Sequence, residues 1–418
     1  MLTSFAYPFA NFFQPGVFWP DLADFKPLQI IAVLALLATL GRKSAYDRMA
    51  AVRHPSIKWL LAFLCIQAIS VFRTGFSSIL SEFGFWSVYA LFVLVSLRII
   101  TDPATLRRYV WGMMCGSIWI VGYGIYGVFA GLETENGGRA GAYGMYENHN
   151  DYTFIIVQAL PFFYIYWRNE QGFLRRAFLL AGFLACIVGV FLSLSRGGMM
   201  ALVLEFALIV IYTMKPRTRL VVLPLVAALG AAAISYQYLK RAQNQGDSYT
   251  AEDAESSRYE LWQAGGEMIK QHPFLGIGSR TFGEYATDYG EISHDNLGKN
   301  SHNTYIEVTA TSGFIGLICF YCMLRWTIRE LRGPPPGPAT PFEDQTRKAT
   351  LIAFYTLLFR SFFDAKSWDY SYYVLIVIAV AGGTMLRARA AAAAAEPPPE
   401  DAIAGRASGL PPTNHLTT

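Results

Sequence analysis

Charge is scarce in this chain: only 15% of its 418 residues are charged, whereas 53% are hydrophobic. That is far more apolar material than one soluble core can use, which excludes an ordinary soluble enzyme and points to an all-α polytopic membrane protein. Cysteine is scarce as well. Cys65, Cys115, Cys186, Cys319 and Cys322 all fall inside apolar stretches, which argues against a disulfide framework or a zinc knuckle and makes them small buried hydrophobes. The chain does not open on a basic segment followed by a cleavage site, so no removable signal peptide is expected. The outer loops contain no Asp-x-Asp pair, and Glu147, His149 and Asp151 lack zinc-ligand spacing; no metal or other cofactor is expected. A phosphate-cradling P-loop is missing too. The net charge of +4 is small and its basic residues are scattered, which argues against nucleic acid as a partner.

What is present is a series of apolar stretches. A spanning helix needs about 20 apolar residues, and about twelve stretches qualify, counting short ones. They centre on 4–20, which Pro15 interrupts, then 27–41, 58–73, 84–100, 109–131, 152–167, 177–194, 197–213, 219–239, 304–325, 349–364 and 371–387. With the N-terminus cytoplasmic, alternate connections collect 22 of the 34 basic residues, as the positive-inside rule requires of a bacterial inner-membrane protein. The chain then divides into transmembrane helices over 1–239, one large periplasmic loop over 240–301, further transmembrane helices over 302–387, and a disordered cytoplasmic Ala/Pro tail over 388–418. Within the loop, Ser257 and Glu260 have capping-box spacing, and no breaker follows until Pro273, which predicts a helix near 258–271. On a 3.6-residue period Arg258, Leu261, Trp262, Gly265, Met268 and Ile269 share its packing face.

Candidate chemistry gathers on the outer face. Arg139, Arg196, Arg258 and Arg280 sit at helix ends or turns, and the planar guanidinium suits phosphate oxygens. Arg196 follows Ser195 and precedes Gly197 and Gly198, in a tight turn that lets a ligand approach the backbone. In the run 300–307, Thr304 and Glu307 have capping-box spacing, which leaves His302 just outside the helix start, facing water. An imidazole there can take a proton near neutral pH. His149, His272 and His294 are weaker candidates. Glu205 inside an apolar stretch is a functional suspect by its depth, and Arg360 and Asp364, at helical spacing, can satisfy each other.

Taken in order, Ser195-Arg196-Gly197-Gly198, Arg258 ahead of Trp262, His272-Pro273-Phe274-Leu275-Gly276-Ile277-Gly278, Ser301-His302-Asn303 and Gly313-Phe314-Ile315-Gly316 resemble the O-antigen ligase and polymerase superfamily. Gly138-Arg139-Ala140-Gly141 with Asn148 and Asn150 is similar to that family's earlier outer-loop signature, so the resemblance covers roughly residues 110–325. It implies a GT-C-type membrane glycosyltransferase that moves a glycan from undecaprenyl diphosphate to an acceptor hydroxyl, a lipid A core sugar in the ligase branch. It also implies His302 as the catalytic histidine and Arg196 and Arg258 as donor-binding arginines; by their own placement on the outer face, Arg139 and Arg280 are further candidate diphosphate contacts, and Asn303, Glu307 and Asn150 candidate supporting residues. Arg280 departs from the family pattern, which has a small residue after Gly-x-Gly. A polymerase or a protein O-glycan ligase would use the same donor. A lipid-linked-glycan transporter is the rival of another class, disfavoured because the polar residues gather on one face.

Overall fold

The structure, a computed structural model, describes residues 2–39, 43–44, 46–72, 76–132, 138–245 and 251–395. Among them are sixteen α-helices and no strand, so the chain is a polytopic helical membrane protein. Seven helices are long and apolar enough to cross a bilayer. These are α6 (Phe76–Ile99, apolar from Ser77), α7 (Pro103–Phe129), α9 (Phe173–Ser193), α10 (Arg196–Thr213), α11 (Pro216–Gln245, as far as Gln237), α14 (Thr304–Arg332) and α16 (Tyr370–Ala395).

Twelve spans were expected, and the other five stretches fall short for physical reasons. The first is cut at Gln14, whose left-handed backbone separates α1 (Thr3–Phe13) from the four-residue α2 (Pro15–Phe18). The next two yield α3 (Pro27–Leu37) and α5 (Pro55–Ser70), of 11 and 16 residues, too short to span alone. The remaining two, α8 (His149–Asn169) and α15 (Pro341–Arg360), have 21 and 20 residues but carry polar and charged side chains. Every residue of α8 from Tyr152 to Tyr166 is buried. A helix walled in by other helices meets protein instead of lipid, and its composition need not be that of a lipid-facing span.

Two contacts fix the ends of the bundle. The Tyr166 and Thr346 hydroxyls pair at 2.7 Å, whereas at the other end Arg360 Nε donates to Thr153 Oγ1 at 3.2 Å. Helices α8 and α15 therefore run antiparallel. One end holds Arg107, Arg168, Arg347 and Arg389, and the other holds the 138–151 segment, the 193–198 turn, and the 258–307 and 360–369 segments. Residues 388–395, expected within the tail, continue α16 to Ala395, and 396–418 lies outside the described residues.

The loop between α11 and α14 is largely helical. Helix α12 (Ala251–Gln271) starts before Ser257, so Ser257 does not stand at the helix start as the spacing predicts. Glu260 instead accepts hydrogen bonds from Ser293 Oγ at 2.8 Å and Asn296 Nδ2 at 3.0 Å. Leu261, Gly265 and Met268 are buried, as the periodicity predicts, while Trp262 stays partly exposed. A second short helix, α13 (Phe282–Tyr289), completes a small separate core in which Phe282 and Ala286 meet Leu261, Met268 and Ala310.

The two glycine-containing motifs that flank this loop interlock. Helix α14 is broken at Gly313, where φ is 67° and ψ is −173°. The break frees backbone groups that lipid could not satisfy, and the segment after α12 supplies partners for them. Ile277 N–H donates to Ala310 O at 2.9 Å and Gly278 N–H to Thr311 O at 3.0 Å, while Phe314 N–H donates to Pro273 O at 2.7 Å. A Cβ at Gly313 would lie 2.1 Å from the Phe274 carbonyl oxygen, and one at Gly276 2.3 Å from the Thr311 carbonyl carbon. Both glycines are left-handed, which any L side chain would strain. This lock fixes the height of the loop above the start of α14.

Candidate active site

His302 sits in the turn that enters α14, with φ of 51°, a left-handed conformation that non-glycine residues hold only under constraint. The constraints are visible. Ser301 Oγ donates to Asn303 O at 2.9 Å and accepts from Asn303 N–H at 3.2 Å. Trp262 Nε1 donates to Ser301 O at 2.9 Å, so α12 clamps the same turn. The cap of α14 is Asn303, whose Oδ1 accepts from the N–H groups of Tyr305 and Ile306 at 2.9 and 3.1 Å. The expected Thr304/Glu307 capping box is replaced: Glu307 reaches past the cap to the Ser301 N–H at 3.0 Å, and the Thr304 hydroxyl donates to Asp364 O at 2.7 Å.

That last bond brings the 361–369 turn against His302. Asp364 Oδ1 stands 3.7 Å from His302 Nδ1, with the histidine side chain 31% exposed and the aspartate 8%. This is ion-pair distance, longer than a hydrogen bond. Asp364 Oδ2 lies 3.5 Å from Arg360 Nη2. Burial alone would raise the Asp364 carboxyl, but His302, Arg360 and Lys366 together hold it well below the usual carboxylate range, so it is an anion at neutral pH. Lys366 forms an ion pair with Asp151 at 2.8 Å and lies over the Trp368 ring. Burial lowers Lys366, yet Asp151 and Asp364 more than offset this and leave it above an ordinary lysine.

Arg360 joins this cluster to the arginine turn. It is fully buried, lies over the Phe154 ring at 4.9 Å, and donates through Nη2 to Asn150 O at 3.1 Å. Asn150 Oδ1 in turn accepts from Ser195 Oγ at 2.8 Å, and Ser195 caps α10 through Gly198 N–H. A Cβ at Gly197 would come within 3.1 Å of Arg360 Nη1, and one at Gly198 within 2.6 Å of Thr153. The two glycines let this turn pack on α8 and α15, which leaves Arg196 half-buried at the start of α10. Arg139 braces the turn from outside, donating from Nε to Ser193 O and from Nη2 to Leu194 O, each at 3.1 Å.

The structure thus gathers His302, Asn303, Asn150, Arg196 and Arg139 through shared neighbours. Arg258 is half-buried on α12, one turn before Trp262. Arg280 stands apart in chemistry. Its guanidinium makes hydrogen bonds of 2.6 and 3.1 Å to Glu82 Oε1 and stacks on Phe85 at 4.0 Å, so its charge is already balanced and it ties the loop to α6. With Glu307, Asn300, Trp86 and Trp368 it lines a recess of about 260 Å3 beside the His302 turn. His272 is held by the Tyr289 hydroxyl at 2.8 Å, a packing role. Glu205 is fully buried with neither oxygen hydrogen-bonded, and it lies on no path between these groups that the contacts reveal.

Sequence reasoning gave Lys366, Asp151 and Trp368 no role. A signal existed, since the run 364–369 places two aspartates, a lysine and a tryptophan between two apolar stretches. Among known proteins, residues 181–321 match the family model described as O-antigen ligase, a segment that includes Arg196, Arg258, Arg280, His302 and Glu307. No curated protein matches the chain.

Proposed function

Residues 181–321 match the family model described as O-antigen ligase, and on that premise we propose that the chain is a member of that family and an inverting glycosyltransferase of the inner membrane. In this reading the end of the bundle that carries His302 faces the periplasm, and the arginine-rich end faces the cytoplasm. The donor is a glycan on undecaprenyl diphosphate. The acceptor is a hydroxyl of a lipid A core sugar.

The observation that supports the reading best is the pairing of His302 Nδ1 with Asp364. It leaves Nε2 as the nitrogen that can meet a substrate, and it places an anion where it would stabilise the imidazolium formed when that nitrogen takes a proton. The acceptor oxygen attacks the anomeric carbon while its proton passes to His302 Nε2. The bond from that carbon to the diphosphate oxygen breaks, the pair of electrons stays on the diphosphate, and configuration inverts. Arg196 and Arg258 bind the diphosphate and stabilise the charge it gains; losing one such donor costs about 3–4 kcal/mol of barrier. Arg139 holds the turn on which Arg196 sits, and Asn150 and Asn303 hold the two turns in register. With arginines supplying the positive charge, the reaction needs neither metal nor nucleotide. The recess lined by Trp86, Trp368, Asn300 and Glu307, apolar faces with convergent polar groups, suits the sugar beside the reacting hydroxyl.

The test is incubation of purified protein with lipid-linked glycan and, separately, lipid A core, a growing glycan and an acceptor protein, in excess chelator without ATP. Transfer to the core alone is expected. Transfer only to glycan or protein would move the acceptor to the polymerase or protein-ligase branch. Dependence on added manganese or magnesium would sink the metal-free mechanism, and transport across proteoliposomes without any covalent transfer would sink the enzyme.

A further inference from the structure

At the end of the bundle remote from His302, a cavity of about 550 Å3 opens between the starts of α7, α9 and α15 and the end of α8. Three arginines line it: Arg107, Arg108 and Arg175. No carboxylate forms an ion pair with any of them among the described residues. Arg107 lies over the Phe342 ring at 4.5 Å, an arrangement that holds the guanidinium in place while leaving its donors for another partner. Glu170, the one acidic side chain in the lining, turns Oε1 back to the N–H groups of Gln171 and Gly172 at 3.0 and 2.9 Å. The remaining wall is aromatic, with Phe5, Trp111 and Tyr166. Immediately beside Arg175, Phe173 and Leu174 are 82% and 80% exposed, and Trp111 stacks on Phe178 at 5.9 Å on the α9 flank.

We infer that this cavity is a binding site for the phosphate headgroup of an anionic phospholipid, with Arg107, Arg108 and Arg175 on the phosphate and the acyl chains along Phe173, Leu174 and Phe178. The chemistry shared with free phosphate is recognition of anionic oxygens by guanidinium donors. The aromatic wall and the bare apolar turn of α9 select the lipid, because free phosphate gains nothing from them. Positive charge spread over a membrane face would attract anionic lipid diffusely; three arginines around one concave volume, none of them ion-paired to a carboxylate among the described residues, make a discrete site. The inference does not depend on the transfer reaction.

The experiment uses the purified full chain in a neutral detergent, with phosphatidylglycerol titrated and bound lipid counted by native mass spectrometry. Phosphatidylcholine and inorganic phosphate serve as competing probes. One saturable phosphatidylglycerol is expected. The variant Arg107→Gln/Arg108→Gln/Arg175→Gln should bind about a hundredfold more weakly, taking about 1 kcal/mol for each arginine. A charge-matched variant outside the cavity, Arg176→Gln/Lys215→Gln/Arg217→Gln, should stay within about twofold of wild type, since it keeps all three lining arginines. Equal weakening in both variants would show diffuse attraction and overturn the site. Equal binding of phosphatidylcholine would overturn the anionic specificity. Displacement of phosphatidylglycerol by inorganic phosphate at equal concentration would assign the cavity to the free anion instead. Should the triple variant not fold, Arg175→Gln alone, at an exposed position, is expected to weaken binding about fivefold; unchanged binding there refutes the proposal.

Discussion

Replacing Asp364 with Asn keeps the shape of the 361–369 turn but removes the anion beside His302, and its effect on transfer follows from the geometry. A unit pair at 3.7 Å is worth about 4 kcal/mol at an effective dielectric near 20, and about 1 kcal/mol at most when fully solvent-screened. Asp364 is buried while His302 is about one-third exposed, so the imidazolium should lose about 2–3 kcal/mol of support. That corresponds to a transfer rate about 30-fold to 150-fold lower. His302→Ala should cost about 100-fold or more, with donor affinity retained, because the acceptor proton is lost only near the transition state. The informative measurement is a double-mutant cycle in single-turnover transfer, with donor affinity and thermal midpoint followed in parallel. If Asp364 acts through His302, the double variant will be no slower than His302→Ala. Losses that multiply instead would refute the coupling, and so would normal transfer by Asp364→Asn. The pH sense is fixed by the same contact. The folded Asp364 carboxyl titrates below its unfolded value, so the stability it contributes is complete above the ordinary carboxylate pKa of about 4. It is lost progressively as pH falls from there through the lower folded value.

Arg196→Ala and Arg258→Ala should each weaken donor binding as well as transfer, and lysine should rescue only partly, since a point charge lacks the bidentate fork; unchanged donor affinity in both would remove them from the diphosphate. Gly313→Ala should destabilise the protein by about 1–3 kcal/mol from the left-handed backbone alone, and by more from the clash with Phe274 O; a thermal midpoint equal to wild type would show that the interlock can yield. Substituted cysteines within 258–295 should label from outside intact spheroplasts while those at Lys215 and Arg329 should not; the reverse pattern would invert the assigned faces.

Much of this protein is already determined by its one-dimensional chemistry. Apolar stretches such as 84–100 and 177–194 must become helices because lipid offers no partner to an open backbone, and α6 and α9 follow. Arg196 beside Gly197 and Gly198, and His302 just ahead of the start of α14, are legible because turn and cap chemistry are local. What the sequence could not decide is which apolar stretches meet lipid and which meet protein. Helix α8 is enclosed only because other helices surround it, and no window along the chain contains that information. Capping was misjudged for the same reason. Ser257 and Glu260 have the spacing of a box, but Glu260 is drawn to Ser293 and Asn296 across the fold of the loop. Arg280 is paired with Glu82, 198 positions earlier, a contact that no local spacing announces. The partner of His302 lies 62 positions away, in a turn carried by α15 and α16. Ion pairs between distant segments depend on where packing leaves charges once water is excluded, and only the tertiary structure decides that.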